Sequence, residues 1–527
     1  MSNEQRSEEY YRACPGEEGI PISDAICRGR RRVSFHKCRT CPHNDDLKEK
    51  PPAPVPENVR QLIEDKGRSV QEVFKAYDIR GIFPEPLSEE LAWRIGHGTA
   101  QFLRSTLTGY DRSDPKTNRI VVGRDMRASG AVLHEALIEG ARCSGTEVID
   151  IGLVDTPQLY FAINYLGTCG GIQVTASHNP AEYNGFKISG QAGRPIGMDT
   201  GLKEIKQIAQ HMAKHETGTY APMSQLDLRE PYRAFVRDFL IQPKPLKVVI
   251  DASNGMAGKW VPIIFDDVDG LEIMPLNMTH DGTFVHDPNP LVEANVQLTC
   301  EAVLEHGAEV GMCFDGDADR CVFVDETGQI IRSDLMTALL SRRFLRDHPG
   351  SVVVYDLRSS RVVAEEIARL GGQPRRERVG HAFIKKALSE NDGCFGGELS
   401  GHFYFRDNWY CDSGMLAFVH VLNLLTEQAE PLSKLVAPLK RYAISGERNF
   451  TNDEKDVTID ALSREYADGE IDMLDGLTVQ YDRWWFNVRK SNTEPLLRLN
   501  LEADSEELLA EKLGELSPRL GQPVDGG

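Results

Sequence analysis

The chain has 527 residues, 40% hydrophobic and 27% charged, with 60 Lys+Arg against 80 Asp+Glu for a formal net charge of −20. That length exceeds one ordinary domain, and the composition can build real cores, so a disordered chain is excluded. No run of eighteen apolar residues occurs, MSNEQRSEEYYRACPGEEG lacks the apolar stretch of a signal peptide, and the acidic excess argues against bulk nucleic-acid binding, so a cytoplasmic protein with no membrane partner is expected.

Residues 1–50 form a Cys-rich appendage, with Cys14, Cys27, Cys38 and Cys41 drawn from the 11 cysteines of the chain. The odd total argues against a disulfide framework and for a reducing compartment. Cys38-Arg39-Thr40-Cys41 has the form of a metal knuckle, with His36 and His43 as alternative ligands. A four-thiolate zinc site, an iron–sulfur site and free thiols all remain open. Arg28, Arg30, Arg31, Arg32, Lys37 and Arg39 make a basic patch between Cys27 and Cys41, which reads as a solvated tail or a docking surface. PPAPVP at 51–56 marks an extended linker, and 51–68 leads into the body.

From there apolar β-rich runs alternate with helical patterns. NRIVVGRD predicts a strand, SGAVLHEALIEGARCSG a helix capped by Ser129, TEVIDIG a strand, TPQLYFAINYLG a helix, and GGIQV a strand ending in the polar loop TASHNP. This β-α-β-α-β order is that of a wound α/β layer. The rhythm restarts at PLKVVIDASNGMAG and again at SVVVYDLRSSRVVAEEIARLGG. We divide the body at 69–223, 224–328 and 329–438, three wound α/β domains, followed by a smaller α+β domain at 439–527. That last domain is expected to hold one aromatic-rich strand, LTVQYDRWWFNVRKS, and a final polar helix, SEELLAEKLGELSPRL.

Four segments carry the chemistry. In Thr175-Ala176-Ser177-His178-Asn179-Pro180, Ser177 falls at the carboxyl end of a strand, where open α/β sheets place their ligands. The adjacent His178 does not by itself imply a Ser–His triad, and a plain capped turn is the bland alternative. Asn184-Gly185-Phe186-Lys187 adds a cation. In Asp315-Gly316-Asp317-Ala318-Asp319-Arg320, three alternating carboxylates can converge on a hard divalent ion. An EF-hand is opposed by Arg320 at the position that needs glycine and by strand-like flanks. In Gly396-Gly397-Glu398-Leu399-Ser400-Gly401-His402, an extended loop would face Glu398, Ser400 and His402 one way, towards vicinal sugar hydroxyls. Arg489-Lys490-Ser491-Asn492-Thr493-Glu494-Pro495 offers a phosphate cradle. Arg80, Arg124, Arg358, His381 and Lys385 are further candidates for an anion pocket.

Together these segments resemble the α-D-phosphohexomutase family: YDIRG, TASHNP, NGFK, DGDADR, GELSGH and RKSNTEP stand in the family's order across about residues 70–520. GELSGH is similar to the phosphomannomutase/phosphoglucomutase subgroup. The resemblance implies four domains around a central cleft and a phosphoserine at Ser177. It implies Mg²⁺ on Asp315, Asp317 and Asp319 together with the Ser177 phosphate, and Arg320 at the edge of the active site. Glu398, Ser400 and His402 match a sugar loop, and Arg489, Ser491, Asn492 and Thr493 a distal phosphate loop. Tyr77, Arg80, Lys187, Arg358 and His381 match cleft-lining positions, with Lys187 and His381 as acid/base candidates. The implied reaction interconverts hexose 1-phosphate and 6-phosphate of mannose or glucose through hexose 1,6-bisphosphate, which would also serve as activator. A phosphoglucosamine mutase or a bisphosphate synthase is the alternative on this scaffold, and a monomer or homodimer is expected. Two departures stand out. Ala318 replaces a common glycine and is tolerable if the backbone keeps φ below zero. Arg358 replaces a lysine of some members, so a planar fork stands where a point cation is found.

Overall fold

The computed structural model describes residues 11–13, 21–23, 27, 69–107, 109–212, 214, 220–428, 430–491 and 496–524. It divides into two compact units, Met1–Asp65 and Lys66–Gly527. In the first, Tyr11–Ala13 pairs antiparallel with Pro21–Ser23, and Cys27 is buried. Cys14, Cys38 and Cys41, the basic patch and the Pro-rich linker lie outside the described residues.

In the second unit, three wound sheets follow one another. The first has the order Ile79–Ile82, Tyr183–Gly190, Gly170–Val174, Arg119–Arg124, Glu147–Leu153, Met223–Gln225. The second runs Leu271–Leu276, Leu246–Asp251, Val310–Phe314, Cys321–Asp325, Ile330–Ile331, and the third Gln373–Glu377, Val352–Asp356, Phe395–Gly397, Phe403–Phe405, Cys411–Asp412. The inner strands are parallel, and their continuous apolar runs are buried at every residue in Gly170–Val174 and Val310–Phe314. Burial on both faces is what a parallel sheet covered by helices requires. All three sheets then share one device: a parallel strand turns back into an antiparallel partner, and the turn carries the chemistry. Gly170–Val174 returns as Tyr183–Gly190, Val310–Phe314 as Cys321–Asp325, and Phe395–Gly397 as Phe403–Phe405.

The helix Thr156–Leu166 begins where Asp155 accepts from Gln158 N and Pro157 presets the first turn, and it ends at Gly167 with φ 62. Ser129 precedes the helix Gly130–Cys143 as expected, but its side chain makes no cap bond. Its hydroxyl accepts from Asn184 Nδ2 at 2.9 Å instead, tying the helix start to the NGFK segment.

The C-terminal domain is a mixed-length antiparallel sheet packed on Lys455–Glu465 and Glu506–Leu520. The expected single aromatic strand is two, Leu477–Gln480 and Trp484–Lys490, folded back through Tyr481-Asp482-Arg483 with Tyr481 N donating to Trp484 O at 2.9 Å. The charged pair Asp482-Arg483 cannot be carried through a buried strand, so the chain turns there. Among the described residues no helix is long and apolar enough to cross a membrane.

Candidate active site

The three turn loops meet. Ser177 is fully buried at φ 52, a left-handed conformation that costs a non-glycine residue about 1–3 kcal/mol and therefore needs support from its surroundings. Arg127 supplies it. Its guanidinium, 1% exposed, donates to four carbonyls of the loop: Ser177 and Tyr183 at 2.9 Å, Asn179 and Pro180 at 2.6 Å. Asp125 lies 3.3 Å from Arg127 Nε and balances its charge. Ser177 Oγ then donates to Asp315 Oδ2 at 2.7 Å. The loops approach so closely that a Cβ on Gly316 would lie 2.5 Å from the Ser177 carbonyl oxygen.

Asp315, Asp317 and Asp319 are buried, and each offers an oxygen within 4.8 Å of the others. Asp317 Oδ1 has no hydrogen-bond partner among the described residues, while Asp319 Oδ1 faces His402 Nε2 at 3.5 Å. Uncompensated buried carboxylate oxygens are costly, and a divalent ion is what such a set accepts, so these residues fit a hard cation. Burial pushes Asp315 well up, with Asp319 and Asp317 adding to it. Asp319 is also penalised by burial, but Lys187 and His402 override this and hold it well below the usual carboxylate range. Lys187 Nζ bonds Asp317 Oδ2 at 2.7 Å and also Asp319 Oδ2. Burial alone would lower its pKa; Asp317, Asp319 and Asp315 raise it instead, so the ammonium stays charged.

Ala318 departs from expectation. Its φ is 59, not negative, and its methyl is fully buried. Bringing three alternating carboxylates round one point in so short a turn demands a left-handed residue, and here alanine takes it.

Arg320 links the aspartate loop to the Glu398–His402 turn, the expected sugar loop. Its N–H donates to Asp315 Oδ1 at 3.2 Å, its Nε lies 3.1 Å from His402 Nε2, and Cys321 N donates to Gly401 O at 3.0 Å. The sugar loop is a tight turn rather than an extended segment, with Glu398 N bonded to His402 O and Gly401 N to Glu398 O. Glu398, Ser400 and His402 gather because of that turn: His402 Nδ1 lies 3.0 Å from both Ser400 Oγ and Glu398 Oε2. Glu398 also accepts from Gly380 N at 3.0 Å and from the Tyr404 hydroxyl at 2.5 Å. Burial and Arg320 oppose charge on His402, yet Asp319 and Glu398 raise it to about 9. His381 is the reverse case: burial, Lys385 and His402 push its pKa well below the usual value, so the imidazole is neutral.

Tyr77 stands edge-on to His381 and to Phe383, at 6.1 and 5.9 Å between ring centres. Arg80 is held by Asp78 Oδ2 at 2.7 Å and Asn179 Oδ1 at 2.5 Å, against the Ser177 loop. Arg358 uses its fork on Asp356, Nε to Oδ1 at 3.2 Å and Nη2 to Oδ2 at 2.9 Å, while Asp356 Oδ2 also accepts from Leu399 N. A lysine could not make that paired contact. Arg489, 3% exposed, donates to Glu447 Oε2 at 2.7 Å, and Arg498 to Glu447 Oε1 at 2.9 Å. Ser491 N bonds Leu496 O, while Asn492 and Thr493 lie outside the described residues. Lys385 is engaged by the buried Asp412, 3.1 Å away, and lies over the Tyr160 ring.

Arg127, Thr156, Asp356 and Glu447 were not among the sequence candidates. His178, which does not by itself imply a triad, has its Nδ1 3.3 Å from Ser177 Oγ, and burial with Arg320, Arg80 and Lys187 keeps the ring neutral. Asp356 stands two residues before the candidate Arg358, a local signal for it; Arg127, Thr156 and Glu447 act on segments distant in the chain and carry no such signal.

A buried serine beside a buried carboxylate triad, joined through Arg320 to the polar Glu398–His402 turn, has the groups that phosphoryl transfer needs. Family models agree in full: phosphoglucomutase/phosphomannomutase alpha/beta/alpha domain I matches residues 71–216, domain II 230–328, domain III 332–442, and the C-terminal domain 448–516. A phosphomannomutase of Salmonella montevideo is 38% identical over 448 residues, covering 82% of this chain and 94% of that protein. Phosphohexose mutases of Xanthomonas campestris pv. campestris are 39% identical over 445 residues, covering 83% and 96%. The crystal structure of a phosphoglucomutase/phosphomannomutase family protein from Burkholderia thailandensis superposes with a TM-score of 0.77 at 33% identity, covering 85% of this chain and 97% of that one. The chain belongs to the phosphoglucomutase/phosphomannomutase family, and it is an isomerase of hexose phosphates.

Proposed function

We propose that the chain moves a phosphoryl group between O1 and O6 of mannose or glucose phosphate by way of a phosphoserine at Ser177. The observation that carries this reading is Ser177 Oγ, 2.7 Å from Asp315 Oδ2 inside the triad. In the first half, the bond between Ser177 Oγ and phosphorus breaks as a sugar hydroxyl oxygen bonds to phosphorus. His381 and Lys187 are the candidates for taking the hydroxyl proton and for returning a proton to the serine oxygen that leaves. The resulting hexose 1,6-bisphosphate turns over and returns its other phosphate to Ser177. Asp315, Asp317 and Asp319, with the Ser177 phosphate, would hold Mg²⁺, which supplies charge neutralisation of the transferring group. Arg320 and Arg80 add fixed positive charge. Glu398, Ser400 and His402 read sugar hydroxyls, while Tyr77, Arg358, Arg489, Ser491, Asn492 and Thr493 hold the sugar and its distal phosphate. A loop that reads hydroxyls away from C2 separates mannose from glucose weakly, so both are substrates.

A chain that loses its serine phosphate needs hexose 1,6-bisphosphate to recover it, which makes that compound an activator. We place the enzyme in the cytoplasm, as a monomer or homodimer, with a body divided at 69–223, 224–328, 329–438 and 439–527. Cys14, Cys27, Cys38 and Cys41 hold zinc, because a segment of some fifty residues buries too little apolar surface to fold unaided. The deciding measurement is a coupled assay on mannose 1-phosphate and glucose 1-phosphate with and without the bisphosphate. Turnover of both, raised by the bisphosphate, is expected; phosphate release without isomerisation would overturn the reading.

A further inference from the structure

Thr156 lies in none of the segments that carry the family likeness, yet it grips the metal loop twice. It is the first residue of the helix Thr156–Leu166 and is fully buried. Its backbone N–H, one of the donors that a helix start leaves without an internal partner, donates to Asp317 O at 3.0 Å. Its hydroxyl donates to Asp317 Oδ2 at 2.5 Å. That same oxygen accepts from Lys187 Nζ, while Asp317 Oδ1 has no hydrogen-bond partner among the described residues. A carboxylate pinned by two donors on one oxygen cannot rotate about its Cβ–Cγ bond without breaking both. The threonine is itself β-branched and enclosed, so its hydroxyl is held in place. The other Asp317 oxygen is thereby aimed in one direction, towards the space it shares with Asp315 and Asp319.

We propose that Thr156 is a positioning residue that presets Asp317 for the divalent cation, so that the first domain governs the metal affinity of a loop on the second. This rests on the reading of the three aspartates as metal ligands. Groups that hydrogen-bond a metal ligand fix its orientation, and removing one costs about 10–100-fold in metal affinity. Thr156→Val keeps the shape and the backbone N–H and deletes the hydroxyl alone, whereas Thr156→Ser restores the hydroxyl without the methyl.

The test is Mn²⁺ binding to the full chain, read from the free-ion signal in electron paramagnetic resonance, with the substrate KM measured at saturating Mg²⁺. Thr156→Val is expected to weaken Mn²⁺ by about 10–100-fold, Thr156→Ser to bind nearly as the parent does, and KM to stay unchanged in both. Unchanged Mn²⁺ affinity in Thr156→Val overturns the proposal, as does equal weakening in Thr156→Ser, which would trace the effect to packing. If Thr156→Val does not fold, Thr156→Ala carries the same expectation and the same refutation. A parent chain that binds no Mn²⁺ would instead refute the metal reading beneath it.

Discussion

The Ser177 loop and the Asp315–Asp319 loop are built alike and present their side chains differently. Each tops a turn between a buried parallel strand and its antiparallel return, and each bends through one enclosed non-glycine residue in the left-handed region, Ser177 at φ 52 and Ala318 at φ 59. In the first, the bent residue presents its own side chain, with Oγ aimed at Asp315. In the second, it carries only a methyl, and the bend turns its neighbours Asp317 and Asp319 inward beside Asp315. The support differs accordingly. Arg127 holds the serine loop through one guanidinium on four carbonyls, whereas the aspartate loop is held by separate backbone donors, Met256 N on Gly316 O, Thr156 N on Asp317 O and Gly414 N on Ala318 O. One backbone device can therefore aim a reacting atom or merely space its ligands, and the side chain at the bend decides which.

The sharpest way to break that comparison is to remove the side chain from the first bend. Ser177→Ala is expected to lower mutase turnover by orders of magnitude while the fold is retained, because the bend survives and the acceptor oxygen does not. Phosphopeptide mass spectrometry after incubation with hexose 1,6-bisphosphate should find phosphate at Ser177 in the parent only. Full turnover in the variant would show that the bend does not present the reacting group.

Next in size is the metal loop. EDTA, or Asp315→Asn, should cost about 3–5 kcal/mol of transition-state stabilisation, or roughly 10²- to 10⁴-fold in kcat. Mg²⁺ should restore the chelated parent but not the variant, and undiminished turnover in EDTA would remove the metal from the account.

Arg127 tests the support. Arg127→Met strands Asp125 as a buried, unpaired carboxylate and frees four loop carbonyls, so a loss of about 3–5 kcal/mol in stability is expected from denaturant unfolding of the variant. Arg127→Lys should not rescue it, since an ammonium lacks the planar reach to bridge those carbonyls. Parent-like stability in either variant would mean that the serine bend stands without its brace.

The two loops also show what a sequence reader can and cannot see. GIQV and VGMCF are legible as strands because covering both faces of a parallel sheet leaves no polar alternation to confuse them. The loops are legible because the residues proposed to hold phosphate and metal are contiguous in the chain. Arg127 and Thr156 are not, because each acts on a segment distant in the chain, and nothing in RASGAV or DTPQ signals the partner. Alternation places Glu398, Ser400 and His402 on one side of an extended run, but a turn, not an extended run, gathers them. The sign of φ at Ala318 was hidden for a further reason: alanine rarely takes it, and local preference points the wrong way.

The smallest effect should come from Ala318→Gly, and its size is what makes it informative. Relieving the left-handed bend returns about 1–2 kcal/mol. Against this, glycine adds freedom to the unfolded chain, worth about 0.4–1 kcal/mol, and the buried methyl is lost, worth about 0.8 kcal/mol. The terms nearly cancel, so a stability change within about 1 kcal/mol of zero is expected, with turnover and Mn²⁺ affinity close to the parent's. If the methyl only occupies the bend, the neighbouring carboxylates keep their places through their own partners: Thr156 and Lys187 on Asp317, Lys187 on Asp319, and Ser177 on Asp315. A tenfold or greater loss of Mn²⁺ affinity in Ala318→Gly would mean that the methyl itself fixes the ligands, and the bend would then resemble Ser177 in acting through its own side chain.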